Sequence, residues 1–126
     1  MIWLTRDMVE VFHGESLARF GGADGIRDEG LLLSALARAE NIHAYEAEAD
    51  AFRLAAAYCA GIVKNHPFFD GNKRTGVLSA VVFLGLNDID LAFDEAMIVT
   101  MVYGLAAGDV QEDQFAAWLR AAAVIR

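Results

Sequence analysis

Two apolar runs in the middle of this chain, Ala51 to Asn65 and Gly76 to Leu86, are hydrophobic almost all round. Helices of that kind belong at the centre of a fold, because a helix with no polar face has none to give to water. The ten residues between them, His66-Pro67-Phe68-Phe69-Asp70-Gly71-Asn72-Lys73-Arg74-Thr75, hold most of the ionisable and turn-forming chemistry of this region. The chain is thus predicted to hang one polar loop between its two most buried elements, a rigid mount for residues that must be accurately placed. Pro67, the only proline, predicts that the incoming helix stops at or before His66. Asp70-Gly71 reads as a turn, and Asn72 as the N-cap of a helix beginning at Lys73.

That helix start is electrostatically odd. Lys73 and Arg74 would sit in a first turn where the helix dipole is already positive, a mismatch of roughly 0.3 to 1 kcal/mol per charge. An anion bound there reverses the sign of the effect. Free backbone N–H groups after Gly71, a helix N-terminus and two cations together describe a phosphate site. Asp70 beside it is a hard oxygen ligand of the kind that shares a magnesium ion with phosphate oxygens. His66 is a candidate general base, since imidazoles as a class titrate near neutral pH.

The rest of the chain reads as helices. Thr5 can cap a first helix to about Arg19, with Leu4, Met8, Val11 and Phe12 on its buried face. Phe20 to Arg27 is a loop with three glycines that permit positive φ; no strand precedes it, as a nucleotide-binding P-loop requires, so it reads as a packed turn. Asp28 caps a second helix reaching about Glu40, with a stripe of Leu32, Ala35, Leu36 and Ala39. Asn41 to Asp50 breaks the period and is rich in acids, so it is expected to be an exposed connection. Asn87-Asp88 ends the second apolar run, Ile89 to Phe93 is an extended link, and Asp94 caps a helix that stops at Gly108. A last helix from about Gln111 carries Phe115, Trp118, Leu119 and Ala122 on one face. The expected architecture is all-α: a compact single-domain bundle of about six helices over residues 1–126, with no sheet beyond a short hairpin.

Composition narrows the function. At 126 residues the chain suits one domain able to bury roughly two thirds of its unfolded surface. Cys59, the single cysteine, cannot form an internal disulfide and reads as a small buried hydrophobe, which suits a reducing compartment. The net charge of −8 argues against direct nucleic-acid binding. Every apolar run is interrupted before the ~20 residues needed to span a bilayer, so no membrane association is expected. The first residues lack the basic and long apolar regions of a signal peptide, making the cytoplasm the expected location. Lys64 to Arg74, by contrast, carries three cations against one Asp, a basic island suited to a small anionic ligand.

The central stretch resembles the signature of the Fic/Doc family, H-x-F-x-(D/E)-(G/A)-N-x-R, with His66, Phe68, Asp70, Gly71, Asn72 and Arg74 each in place. The likeness extends to Gly21-Gly22 with Gly25, Arg27-Asp28, Leu31-Leu32, Phe83-Leu84 with Asn87, and Trp118-Leu119. The AMP-transferring branch usually has glycine where this chain has Lys73 and glutamate where it has Asp70. Those departures resemble the Doc branch, toxins of toxin-antitoxin pairs, which often have a histidine at the position of His13; from the residues alone His13 reads as a polar or packing residue.

The resemblance implies a toxin that uses ATP and magnesium to phosphorylate a hydroxyl, a threonine, of elongation factor Tu and so blocks translation. His66 would take the proton of the attacking hydroxyl and Asp70 would hold magnesium. Asn72, Lys73 and Arg74, with the amide of Gly71, would hold the phosphates, and Phe68 would anchor the loop. ATP would lie reversed relative to AMP-transferring relatives, its γ-phosphate at the histidine. By position, the segment Asn41, Ile42, His43, Ala44 and Tyr45 resembles the family's flap, which holds the target backbone by strand-like pairing. No Ser or Thr is followed at the required spacing by the Glu-Gly or Glu-Asn pair of self-inhibited relatives, so inhibition is expected from a cognate antitoxin that folds as a helix on binding. The alternatives are AMP transfer and, in another class, a co-repressor module that binds antitoxin with little catalysis.

Overall fold

The structure, a computed structural model, describes residues 1–124. Its order is α1 (Arg6–Phe20), α2 (Glu29–Tyr45), α3 (Ala51–Asn65), α4 (Asn72–Leu86), β1 (Asp90–Leu91), α5 (Glu95–Ala107), α6 (Glu112–Ala122) and β2 (Ala123–Val124). The all-α expectation is met. The one sheet among the described residues is not a hairpin, however: β1 pairs antiparallel with β2, Asp90 opposite Val124 and Leu91 opposite Ala123. Helices α5 and α6 lie between the two strands in sequence, so the pairing acts as a clasp on that helix pair.

Helix α3 is the hub. Leu54 to Val63 are all buried, and α2, α4 and α6 pack around them. Two glycines allow the close crossings: a Cβ at Gly61 would come within 3.2 Å of the Ala35 backbone on α2, and one at Gly76 within 2.9 Å of Val63 on α3. All six helices contribute buried apolar residues to one core, from Val9 on α1 to Leu119 on α6.

Most helix starts follow local chemistry. Side chains of Thr5, Asp28, Asp50 and Asp94 accept from backbone N–H groups of Met8, Leu31, Arg53 and Met97, each satisfying an otherwise orphan donor. At α6, Gln114 reaches back to accept from the Gln111 N–H at 2.7 Å. Gly108 ends α5 at φ 86°, a conformation open to glycine without a Cβ clash.

Two expectations are corrected. Helix α2 does not stop near Glu40 but runs to Tyr45, so Asn41, Ile42, His43, Ala44 and Tyr45 are its last turns and not an extended segment. His43 packs edge-on against Trp3 at 5.3 Å, a contact across forty residues that local periodicity does not contain. Of the face expected on α1, Leu4 is buried and Met8 and Phe12 pack half-buried against the core, but Val11 is exposed. The buried residues of the helix are Val9, His13 and Ser16, two of them polar, which an apolar pattern does not mark.

Candidate functional site at the N-terminus of α4

The loop from His66 to Gly71 joins α3 to α4 and is clamped from one side by residues 22–28. The Pro67 carbonyl accepts from the N–H groups of both Arg27 and Asp28, at 2.6 and 3.0 Å, and Phe69 N–H donates to Gly25 at 3.3 Å. Ile26 and Phe68 form an isolated antiparallel bridge. The glycine loop thus pairs strand-like with the motif itself. Arg27 completes the clamp: Nε donates to the His66 carbonyl at 2.7 Å and Nη2 to that of Asn65 at 3.0 Å, closing the frayed end of α3.

Asn72 is not the N-cap. Gly71 takes that place at φ 81°, because the buried Asn72 amide is used elsewhere. Its Oδ1 accepts from Phe68 N–H at 3.0 Å and its Nδ2 donates to the Phe68 carbonyl at 2.9 Å. The side chain thus imitates a strand partner and ties the loop to the first turn of α4. Asn87 does the same for the N-terminal segment, meeting the N–H and carbonyl of Ile2 at 2.8 and 3.0 Å.

Phe68 is fully buried, and His13 stacks on it with ring centroids 3.9 Å apart and planes 9° from parallel. Nε2 of His13 lies 2.8 Å from the Asp70 carbonyl oxygen; a carbonyl only accepts, so that nitrogen carries the proton. His13 therefore supports the motif loop from α1, a role its neighbours in sequence do not reveal. Its signal was a histidine set among residues of a helix face that turns out to be buried.

Asp70 is exposed, and its Oδ2 accepts from Ala23 N–H at 2.7 Å. Gly22 makes room for it, since a Cβ there would stand 3.1 Å from that of Asp70. Oδ1 makes no hydrogen bond among the described residues. His66 is exposed too, held at φ 53°, ψ 53°, a left-handed conformation uncommon for a residue with a Cβ.

The N-terminus of α4 differs from the other five. No side chain caps it, and its first turn carries Lys73 and Arg74. Neither cation is paired with a carboxylate among the described residues, although Arg6, Arg38, Arg53 and Arg120 all are. The Lys73 ammonium lies 5.0 Å from the centroid of the Tyr103 ring, and the Arg74 guanidinium carbon 3.8 Å from that of Phe20. Orphan N–H groups, an unopposed helix dipole and two unpaired cations all favour an anion at this point. The loop brings His66 and Asp70, Gly71, Asn72, Lys73 and Arg74 to one end of α3 and α4. Tyr45, by contrast, stands at the far end of α2, 89 % exposed.

Among the described residues no helix is long and apolar enough to cross a membrane. Comparison with known proteins agrees with the loop. The model of the Fic/DOC family matches residues 3–84, which span α1 to α4 and the whole motif. "Protein kinase doc" of Escherichia phage P1 is 32 % identical over 108 residues, covering 86 % of this chain and 85 % of that protein. "Toxin Doc" of Mycolicibacterium smegmatis is 35 % identical over 116 residues, covering 90 % and 88 %. A clamped histidine loop, a helix N-terminus left open beside two cations, and a match that runs through both place this chain in the Fic/DOC family.

Proposed function

We propose that the chain is a Doc-type toxin, a protein kinase that transfers the γ-phosphoryl group of ATP to a threonine hydroxyl of elongation factor Tu and so stops translation. The observation that carries this reading is the α4 N-terminus, uncapped and furnished with two cations that lack carboxylate partners. The names of the two relatives, one a kinase and one a toxin, support it.

In this reading Lys73, Arg74 and the first backbone N–H groups of α4 hold the phosphates. Asn72 contributes its backbone, since both groups of its amide are taken by Phe68. Phosphoryl transfer asks the protein mainly for positioning and for charge to offset that of the transferring group. His66 accepts the hydroxyl proton as the new O–P bond forms and the bond to the leaving ADP oxygen breaks. Its exposure at the loop edge leaves the imidazole open to an incoming protein.

Asp70 fits a magnesium ion in its donor chemistry. Ala23 fixes one carboxylate oxygen and leaves the other without a protein partner among the described residues. No group of three or more His, Cys, Asp or Glu side chains there could form a cage, and magnesium characteristically takes one or two carboxylates and completes its shell from phosphates and water. Bound magnesium would offset charge on the phosphates.

Inhibition by a cognate antitoxin that folds on the toxin, and residence in the cytoplasm where the target lies, belong to the same proposal. It is tested by incubating the purified protein with magnesium-ATP and purified elongation factor Tu, then fragmenting the factor in a mass spectrometer. One phosphate on one threonine is expected. An AMP group on the factor, or an unmodified factor beside a different modified protein in whole extract, overturns the reaction or the target respectively.

A further inference from the structure

Lys73 and Arg74 are kept in place by rings where ion pairs would be the ordinary solution. In a chain of net charge −8, with carboxylates engaging Arg6, Arg38, Arg53 and Arg120, this choice has a physical consequence. A carboxylate partner neutralises a cation and must be displaced before phosphate can bind. A ring face attracts the cation through its quadrupole but leaves the net charge intact, so the anion can add on the opposite side while the ring stays. The lysine stem otherwise has many rotamers, whose loss opposes binding.

We propose that Tyr103 of α5 is a positioning residue for nucleotide: its ring pre-sets the Lys73 ammonium at the mouth of the α4 N-terminus. Tyr103 is suited to that task. Its ring is 5.0 Å from the ammonium, within the range of a cation–π contact, and the residue is 59 % exposed, so little core depends on it. Its neighbour in sequence, Gly104, is in contact with Val110, where a Cβ would come within 2.5 Å, so the turn of α5 that bears Tyr103 is packed against the segment that follows it. The contact is through the ring face, so the phenol hydroxyl is dispensable. Arg74 stands in the same relation to Phe20 on α1, which gives the α4 N-terminus an aromatic support from each of two neighbouring helices.

The inference rests on the proposed nucleotide site, and the test separates the two. Magnesium-ATP binding is measured by calorimetry, and γ-phosphoryl transfer by steady-state kinetics, for the full chain and for Tyr103→Phe, Tyr103→Leu, Lys73→Met and Tyr103→Leu/Lys73→Met. Urea unfolding of each variant checks that the fold is kept. Tyr103→Leu is expected to weaken ATP binding and raise KM about 2- to 5-fold with kcat little changed, the size of an exposed cation–π contact. Tyr103→Phe is expected to restore wild-type binding, and Tyr103→Leu to have no further effect once Lys73 is Met. Equal or tighter ATP binding by Tyr103→Leu, or the same loss in the Lys73→Met background, overturns the role of Tyr103 and leaves the site standing. Wild-type protein that binds no ATP overturns both.

Discussion

His13 Nε2 and the carbonyl oxygen of Asp70 lie 2.8 Å apart, and the same imidazole is stacked on Phe68. One side chain of α1 therefore holds two residues of the motif loop, one by a hydrogen bond and one by ring contact. The position of Asp70 depends on a residue fifty-seven places away.

His13→Ala is expected to lower stability by about 3 kcal/mol, through loss of buried contact area and an unsatisfied carbonyl. His13→Phe keeps the stack and loses the hydrogen bond, so a loss of about 1 to 2 kcal/mol is expected. Urea unfolding measures both. Equal stability of the wild-type protein and His13→Ala would remove His13 from the support of the loop.

His66 separates chemistry from stability. His66→Ala is expected to abolish activity while changing stability by less than about 0.5 kcal/mol, because the side chain is exposed and makes no hydrogen bond among the described residues. His66→Gly, equally inactive, should be about 0.5 to 1 kcal/mol more stable than His66→Ala. A Cβ costs about 1 to 2 kcal/mol in the left-handed region, and the greater freedom of unfolded glycine offsets part of that. A His66→Ala protein that still arrests growth on expression contradicts the assignment of the base.

Cys59 is fully buried on α3, and burial, with the Glu112 carboxylate adding to it, pushes its thiol far above the usual range. An alkylating reagent at neutral pH should therefore label it only through global opening, about a thousandfold or more slowly than in urea. Fast labelling of the native protein would show that α3 is not the closed hub described above.

Much of this fold was legible because its helix starts are written locally. Thr5, Asp28 and Asp94 each precede an apolar period, and each caps its helix. What was not legible depends on contacts between distant segments. Helix α2 continues past Glu40 to Tyr45, with His43 against Trp3. The inward face of α1 is mixed: Val9 joins the core, while the buried His13 serves the motif loop. Asn72 follows a turn and precedes an apolar run, the pattern of a cap, yet Phe68 claims its amide. The motif named the residues of the site; the clamp by Arg27 had no local signature, and His13 was marked only by the family resemblance, not by its neighbours.

An anion site at α4 has a thermodynamic signature independent of catalysis. A ligand that binds only the folded state stabilises it by RT ln(1 + [L]/Kd), so inorganic phosphate at ten times its Kd should add about 1.4 kcal/mol. Thermal unfolding of the wild-type protein should shift upward with phosphate at constant ionic strength. Arg74→Ala should lose most of the shift. The same shift in both proteins would place the phosphate elsewhere.

The central claim, that Lys73 makes this N-terminus a site for γ-phosphoryl transfer, is tested most directly by parallel incubations of wild-type and Lys73→Gly protein with elongation factor Tu. Each receives magnesium-ATP labelled at either the γ- or the α-phosphate. The account predicts γ-label alone on the factor with wild-type protein, and a steep loss of that label with Lys73→Gly. Full γ-phosphorylation by Lys73→Gly, or α-label transferred by the wild-type protein, would contradict it.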